Sequence, residues 1–153
     1  MTAVIQRVNS ATVFADGAES GSIGKGLYVL LGVENGDTER DAELLAAKIS
    51  KLRIFTDEND KMNLSVTDVN GEIMVVSNFT LCANYAHGNR PDYLSAAAPA
   101  EANRLYEYFK ARITDKLGCC KCGVFGADMR TEMSTDGPVT IVMLSSVLSG
   151  GKK

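Results

Sequence analysis

The segment Leu64-Ser65-Val66-Thr67-Asp68-Val69-Asn70-Gly71-Glu72-Ile73-Met74-Val75-Val76-Ser77-Asn78-Phe79-Thr80-Leu81 bears most directly on fold class. Two β-rich runs, Leu64 to Val69 and Glu72 to Val76, flank Asn70-Gly71, the dipeptide suited to the positive-φ positions of a type I′ turn. A hairpin is expected, its second strand running on into Ser77-Asn78-Phe79-Thr80-Leu81. Hairpin-linked strands do not fit a regular βαβ alternation.

Working outward, Ala3 to Val8 and Ala11 to Ala15 read as strands, with Asp16-Gly17 as a further hairpin turn. Leu27 to Val33 is apolar on both parities, as in a strand buried on both faces. From Thr38 to Leu52 the period changes: Ala42, Leu45, Ala46, Ile49 and Leu52 share one helical face, capped by Asp37 or Thr38. A second helix starts near Pro99, buries Ala102, Leu105, Tyr106, Phe109 and Ile113, and stops at Gly118. Asn84 to Asp92 reads as a surface loop; Gly123 to Met129 and Val139 to Leu144 read as β-like pieces. The expectation is an α+β fold: a mainly antiparallel sheet or open β-barrel with two principal helices. One domain covers residues 1–145, and residues 146–153 form a flexible tail.

At 153 residues the chain can bury a core without staples. Its 45% hydrophobic and 23% charged content suits a globular protein, and no apolar run approaches the roughly 20 residues of a membrane span. The first residues lack a signal-peptide pattern, so a cytoplasmic location is expected. A net charge of −3 argues against coating long nucleic acids but leaves open the grasp of one RNA end.

Several chemistries lack their residues. The single histidine, His87, lies in a polar loop, and no G-x-S-x-G elbow is present, so a Ser-His-Asp or Cys-His set would have to use His87. Cys119, Cys120 and Cys122 form a crowded C-C-x-C, with Cys82 apart, rather than two spaced knuckles. Gly21 to Gly26 fails the phosphate-loop spacing, having Glu19 and Gly26 where a glycine and a Ser or Thr belong. Neither metal nor cofactor is expected. Two segments remain, Ser77 to Leu81 and Asp136-Gly137-Pro138-Val139-Thr140. Taken singly, they read as a polar strand end and a tight turn.

Together they resemble the S-Q-F-T-L and G-P-V-T motifs of D-aminoacyl-tRNA deacylases. Ile5-Gln6-Arg7-Val8, Gly26-Leu27 to Gly32-Val33, Arg53-Ile54-Phe55, Lys61 to Leu64, Arg90-Pro91 and Phe125 to Met129 match in the same order, so the resemblance spans residues 1 to 144. It implies a homodimer that hydrolyses D-aminoacyl-tRNA, with active sites at the subunit interface. It also implies that Gly137-Pro138 has a cis peptide bond and enters the other copy's pocket. There its carbonyls would take the substrate α-ammonium and its wall would exclude an L side chain. Glycine on tRNA(Ala), having no side chain to clash, becomes a second expected substrate.

The resemblance makes Phe79 and Thr80 the catalytic residues, with backbone N–H groups around them facing the developing oxyanion. The terminal ribose 2′-hydroxyl would help activate water. Thr80 as nucleophile is the alternative, although no base stands near it in sequence. Ser77, Asn78, Gly137, Pro138, Arg7, Phe125 and Met129 are the expected binding residues, Arg7 as a support for the Gly137-Pro138 loop of the other copy. Asn78 departs from the family's usual Gln by one methylene. Competing readings are an editing factor for L-alanine on the wrong tRNA, a non-catalytic RNA-end binder, and a metal module built from Cys119, Cys120, Cys122 and His87.

Overall fold

The computed structural model describes residues 1–150. The chain runs β1 (Thr2–Ala15), β2 (Ala18–Ile23), β3 (Gly26–Gly32), α1 (Glu39–Ser50), β4 (Phe55–Thr56), β5 (Met62–Leu64) and β6 (Glu72–Ser77). A 3-10 turn (Phe79–Cys82) follows, then α2 (Pro99–Leu117), β7 (Lys121–Cys122), β8 (Met129–Leu144) and α3 (Ser145–Leu148). The long β1 organises the main sheet, pairing antiparallel with β2 and β3 on one edge and with β8 on the other. This is the α+β fold that the sequence predicts, with two parallel pairs, β3–β6 and β6–β7, added. Those pairs need crossovers, which α1 and α2 supply.

The Asp16-Gly17 turn forms as expected, both residues at positive φ (49° and 86°) between paired Ala15 and Ala18. The Asn70-Gly71 hairpin does not. Asn70 does sit at φ 50°, but β5 pairs with β4, whereas β6 joins β3 in parallel. The Asp68 carboxylate accepts from the Ser65 N–H (2.8 Å) and hydroxyl (2.7 Å), and the Val69 N–H donates to Ser65 O (3.3 Å). Residues 65–70 thus wind into a helical turn, and Asn70 ends it in the left-handed conformation that such ends favour.

Both principal helices appear at the predicted places. Asp41 accepts from the Thr38 N–H and hydroxyl (2.9 Å each) at the start of α1, and Gly118 (φ 80°) closes α2. Alternation in the central strands separates two cores. Leu27, Val29, Leu31, Ile73 and Val75 face Leu45, Ile49, Leu105 and Phe109 of the helices. Tyr28, Met74 and Val76 meet Val8, Val13 and Ile23 within the curl of the sheet. That double burial explains why the β3 and β6 runs are apolar throughout.

Three expectations toward the C-terminal end change. Gly123 to Met129 was expected to be β-like, but residues 123–128 lie outside any strand, between β7 and β8. Asp136-Gly137-Pro138 lies inside β8 rather than in a turn opening a new strand. The expected flexible tail begins too early: Ser145–Leu148 is a short helix, tied down by Ser145 N donating to Met1 O (3.0 Å) and by the Met1 ammonium donating to Ser145 Oγ (2.9 Å). Residues 151–153 of that tail lie outside the described residues. No helix among the described residues is long and apolar enough to cross a membrane.

Candidate active site

β6 delivers the site. Its last residue, Ser77, is half-buried, and the Asn78 N–H extends the sheet by donating to Leu31 O (2.8 Å). The chain then tightens into the 3-10 turn because Asn78 is extended (φ −144°) and its side-chain Oδ1 accepts from the Thr80 N–H at 3.2 Å. The Thr80 hydroxyl donates to the same Oδ1. A side-chain oxygen reaching a backbone N–H two residues on is an Asx-type cap, a bond that suits the short Asn side chain.

The turn rests on Gly32 of β3. A Cβ there would lie 2.9 Å from Leu81 Cβ, 3.2 Å from Asn78 O and 3.3 Å from Cys82 Sγ. Gly32→Ala should therefore push the turn away from the sheet. The expected outcome is a fall of about tenfold or more in catalytic efficiency, since displacing positioned groups by part of an ångström is costly. The stability loss should stay within about 1–3 kcal/mol. Steady-state rates and urea melts measure the two; unchanged rates would show that the turn can shift harmlessly.

Ser77, Asn78 and Phe79 form one side of an open groove of about 600 Å³. Tyr93 and residues 96–99, leading into α2, form a second wall; Phe125 to Ala127 and Met129 form a third. Phe79 is 58% exposed at the rim and meets Tyr93 edge-on, ring centres 5.0 Å apart. Beneath, the buried Tyr106 hydroxyl donates to Val75 O (3.0 Å), and its ring stands 5.9 Å from Phe125. Burial pushes the Tyr106 phenol far above its ordinary pKa, so it remains a neutral structural donor.

Five of the residues expected from sequence thus meet at the groove: Ser77, Asn78, Phe79, Phe125 and Met129. Thr80 is exposed and not part of its lining. The expected pair of backbone donors is reduced to one. The Thr80 N–H is already bonded to Asn78, while the Phe79 N–H has no partner among the described residues. Tyr93 and the Ala96-Ala97-Ala98 wall were missed. Their signal was an aromatic beside a run of small residues, which leaves room for a ligand.

Arg7, Gly137 and Pro138 lie apart from this groove's lining. Gln6 pairs with Thr140 and Val8 with Thr135, so residues Asp136 to Val139 of β8 bulge outward opposite Arg7 alone. Arg7, 8% exposed, fills the gap within its own chain. Its Nε donates to Asp136 O (3.2 Å) and pairs with Asp136 Oδ2 (2.9 Å), while Nη1 donates to Ile54 O (2.6 Å). One guanidinium thereby binds the base of the bulge to Ile54, the residue just before β4. Gly137 and Pro138 at its tip are exposed, and their peptide bond is cis.

His87 sits exposed in the Asn84–Asp92 loop, which is closed at its base by backbone bonds between Asn84 and Asp92 (2.9 Å each), and it does not line the groove. Cys82 is buried; Cys119, Cys120 and Cys122 are free thiols. Burial, reinforced by neighbouring Cys122, pushes the Cys120 thiol up to about 12. Among the described residues no three His, Cys, Asp or Glu side chains gather as a metal site, so the arrangement a metal module needs from this cluster and His87 is not formed.

The family model described as D-Tyr-tRNA(Tyr) deacylase matches residues 4–144. A D-aminoacyl-tRNA deacylase of Geotalea daltonii is 50% identical over 94% of this chain and 95% of its own. That of Pelobacter propionicus is 52% identical over 94% and 99%. Among solved structures, one described as c-Myc DNA unwinding element binding protein superposes with a TM-score of 0.87 at 39% identity, covering 94% of this chain and 97% of that one. A probable eukaryotic D-amino acid tRNA deacylase, at 14% identity, shares the fold with a TM-score of 0.79 over 94% and 99%. Ser77, Asn78 and Phe79 of the motif on which the resemblance rests line the groove, and with half of all positions identical along nearly the whole length, this chain belongs to the D-Tyr-tRNA(Tyr) deacylase family.

Proposed function

We propose that this chain hydrolyses the ester joining a D-amino acid to tRNA, releasing both, and that two copies assemble to do so. The observation that carries the reading is the open groove lined on one side by Ser77, Asn78 and Phe79, with a backbone N–H at Phe79 that has no partner among the described residues. A fixed N–H donor stabilises charge developing on an ester carbonyl oxygen, and it does so without a histidine or a metal. The 2′-hydroxyl of the terminal ribose lies one atom from the reacting ester oxygen's carbon and supplies the assistance to water that no side chain here offers.

Chiral selection in this reading comes from the second copy. The exposed Gly137-Pro138 tip does not line its own chain's groove, and in this reading it serves the groove of a neighbouring molecule. The same surface supports pairing. Among the described residues β8 pairs with β1 alone, and Val142 (66% exposed) and Leu144 (41%) of β8 and Val147 (71%) of α3 are exposed apolar side chains at this end of the chain. Backbone carbonyls of the inserted tip would accept from the α-ammonium, leaving no space for an L side chain. Glycine would pass this filter.

The test is deacylation of matched D- and L-aminoacyl-tRNA together with glycyl-tRNA(Ala), on protein whose mass in solution is measured by sedimentation. Rapid hydrolysis of the D and glycyl esters, sparing of the L ester and a dimeric mass are expected. Equal rates on D and L esters, or no hydrolysis of the D ester, would overturn the enzymatic reading, and a monomer of full activity would overturn the shared site.

A further inference from the structure

We infer that Cys122 is a site of oxidation by hydrogen peroxide, its sulfur taking one oxygen while the Lys110 ammonium supplies the proton that the departing hydroxide needs. The four cysteines differ in what their sulfurs touch. The buried Cys82 thiol donates to Val33 O (3.5 Å), and burial, with Glu34 and Asp37 close by, pushes it up. The Cys120 thiol donates to Lys121 O (3.5 Å) and is likewise held protonated by burial. Both are poor nucleophiles, since the thiolate is the reactive form. Cys119 is exposed and has no cation against its sulfur among the described residues. Cys122 does: Lys110 Nζ donates to its Sγ at 3.6 Å.

Lys110 is held in that place. It projects from α2 with a side chain only 18% exposed, its Nζ 2.8 Å from Glu107 Oε1 and 4.8 Å from the centre of the Tyr106 ring. Burial works against its charge, but Glu107 and the Cys122 sulfur outweigh burial and raise its pKa, so the ammonium persists at neutral pH. β7 is the last strand on its side of the sheet, and Cys122, paired there with Val75, is half-buried and keeps an open side. Cys122 Sγ attacks one peroxide oxygen. An S–O bond forms as the O–O bond breaks, the sulfur being oxidised by two electrons and the peroxide reduced. The departing hydroxide takes a proton from Lys110 and leaves as water, and the proton of the thiol, passed to Lys110, restores the ammonium. The product is a sulfenic acid at Cys122.

The test treats full-length, reduced protein with a small excess of hydrogen peroxide in the presence of dimedone, which adds to sulfenic acids. Peptide mass spectrometry locates the adduct; trypsin cuts after Lys121, so Cys122 is read apart from Cys119 and Cys120. Cys122 should carry at least about tenfold more adduct than Cys119, although Cys119 is the more exposed. A Cys119→Ser/Cys120→Ser protein removes the thiols that could consume the sulfenic acid as a disulfide, and it should keep the labelling of Cys122. Lys110→Met removes the ammonium, and labelling at Cys122 should slow about tenfold, the effect of one lost charge-assisted bond. Loosening of the fold would expose the sulfur and speed the reaction, so a slower one reports the lost donor. Lys110→Arg restores a charged donor and should recover the rate to within about threefold. No adduct at Cys122, labelling of Cys119 as fast as Cys122, Lys110→Met as fast as the parent, or Lys110→Arg as slow as Lys110→Met would each overturn the inference.

Discussion

Gly137→Ala is expected to lower hydrolysis of D-aminoacyl-tRNA by at least about 100-fold while the protein stays folded. Gly137 has φ 139°, in a region that side-chain-bearing residues rarely enter. A Cβ there would lie 2.4 Å from Val139 N and 2.9 Å from Val139 Cγ2, so the tip of the bulge has to rearrange. The tip is exposed and touches neither core, which confines the damage. The strain should cost about 1–3 kcal/mol, well short of unfolding a domain of this size. Far-UV circular dichroism and urea melts report the fold, and kcat/KM on D and L esters reports the site. Unchanged activity and selectivity would show that the bulge takes no part in the reaction.

Gly26→Ala should act in the opposite way, on the fold as a whole. Gly26 begins the parallel pairing of β3 with β6, directly opposite Glu72. A Cβ there would lie 2.0 Å from Glu72 O, 2.8 Å from its carbonyl carbon and 2.9 Å from its N. These are backbone atoms, so no side chain can swing aside. The strands must part where β6 begins, and β6 carries Ile73 and Val75 into one core and Met74 and Val76 into the other. A loss of about 4 kcal/mol or more is expected, in the range reserved for gross disruption. It should appear as a drop of roughly 10 °C in Tm by calorimetry. A melting temperature within a degree of the parent would show that the close approach relaxes cheaply.

The two glycines illustrate what can be read without coordinates. Gly26 and Gly137 both fall in stretches that resemble the family, yet nothing in their local sequence distinguishes a strand contact from a strained tip. Local signals were read correctly where a local interaction decides the conformation. The Asp16-Gly17 turn, the Thr38 and Gly118 helix ends and the buried stripe of α2 all formed as expected. Asn70-Gly71 gave the positive φ but not the hairpin, because a turn signal says how the chain bends and not which strand it will meet. The outer apolar patch of β8 went unnoticed for a similar reason. Val139 to Leu144 is apolar apart from Thr140, and only the fold decides that Val139, Ile141 and Met143 pack on the core while the face bearing Val142 and Leu144 is left uncovered.

The sequence by itself determined the α+β class, both principal helices, the absence of a conventional histidine-based set and, through its ordered motifs, the family. Periodicity, caps and residue chemistry carry that information within a few neighbouring positions. Tertiary structure alone decided the parallel partner of β6 and the running of Met129 to Leu144 as one continuous β8, with residues 123–128 left outside any strand. It also decided that Arg7 binds Asp136 in its own chain, that Thr80 bonds Asn78 and does not line the groove, and that Gly137-Pro138 is no part of the groove's lining. These are relations between residues far apart in sequence, or between side chains free to point several ways. Packing fixes them, because each buried polar group must find its partner and each close approach must find a glycine.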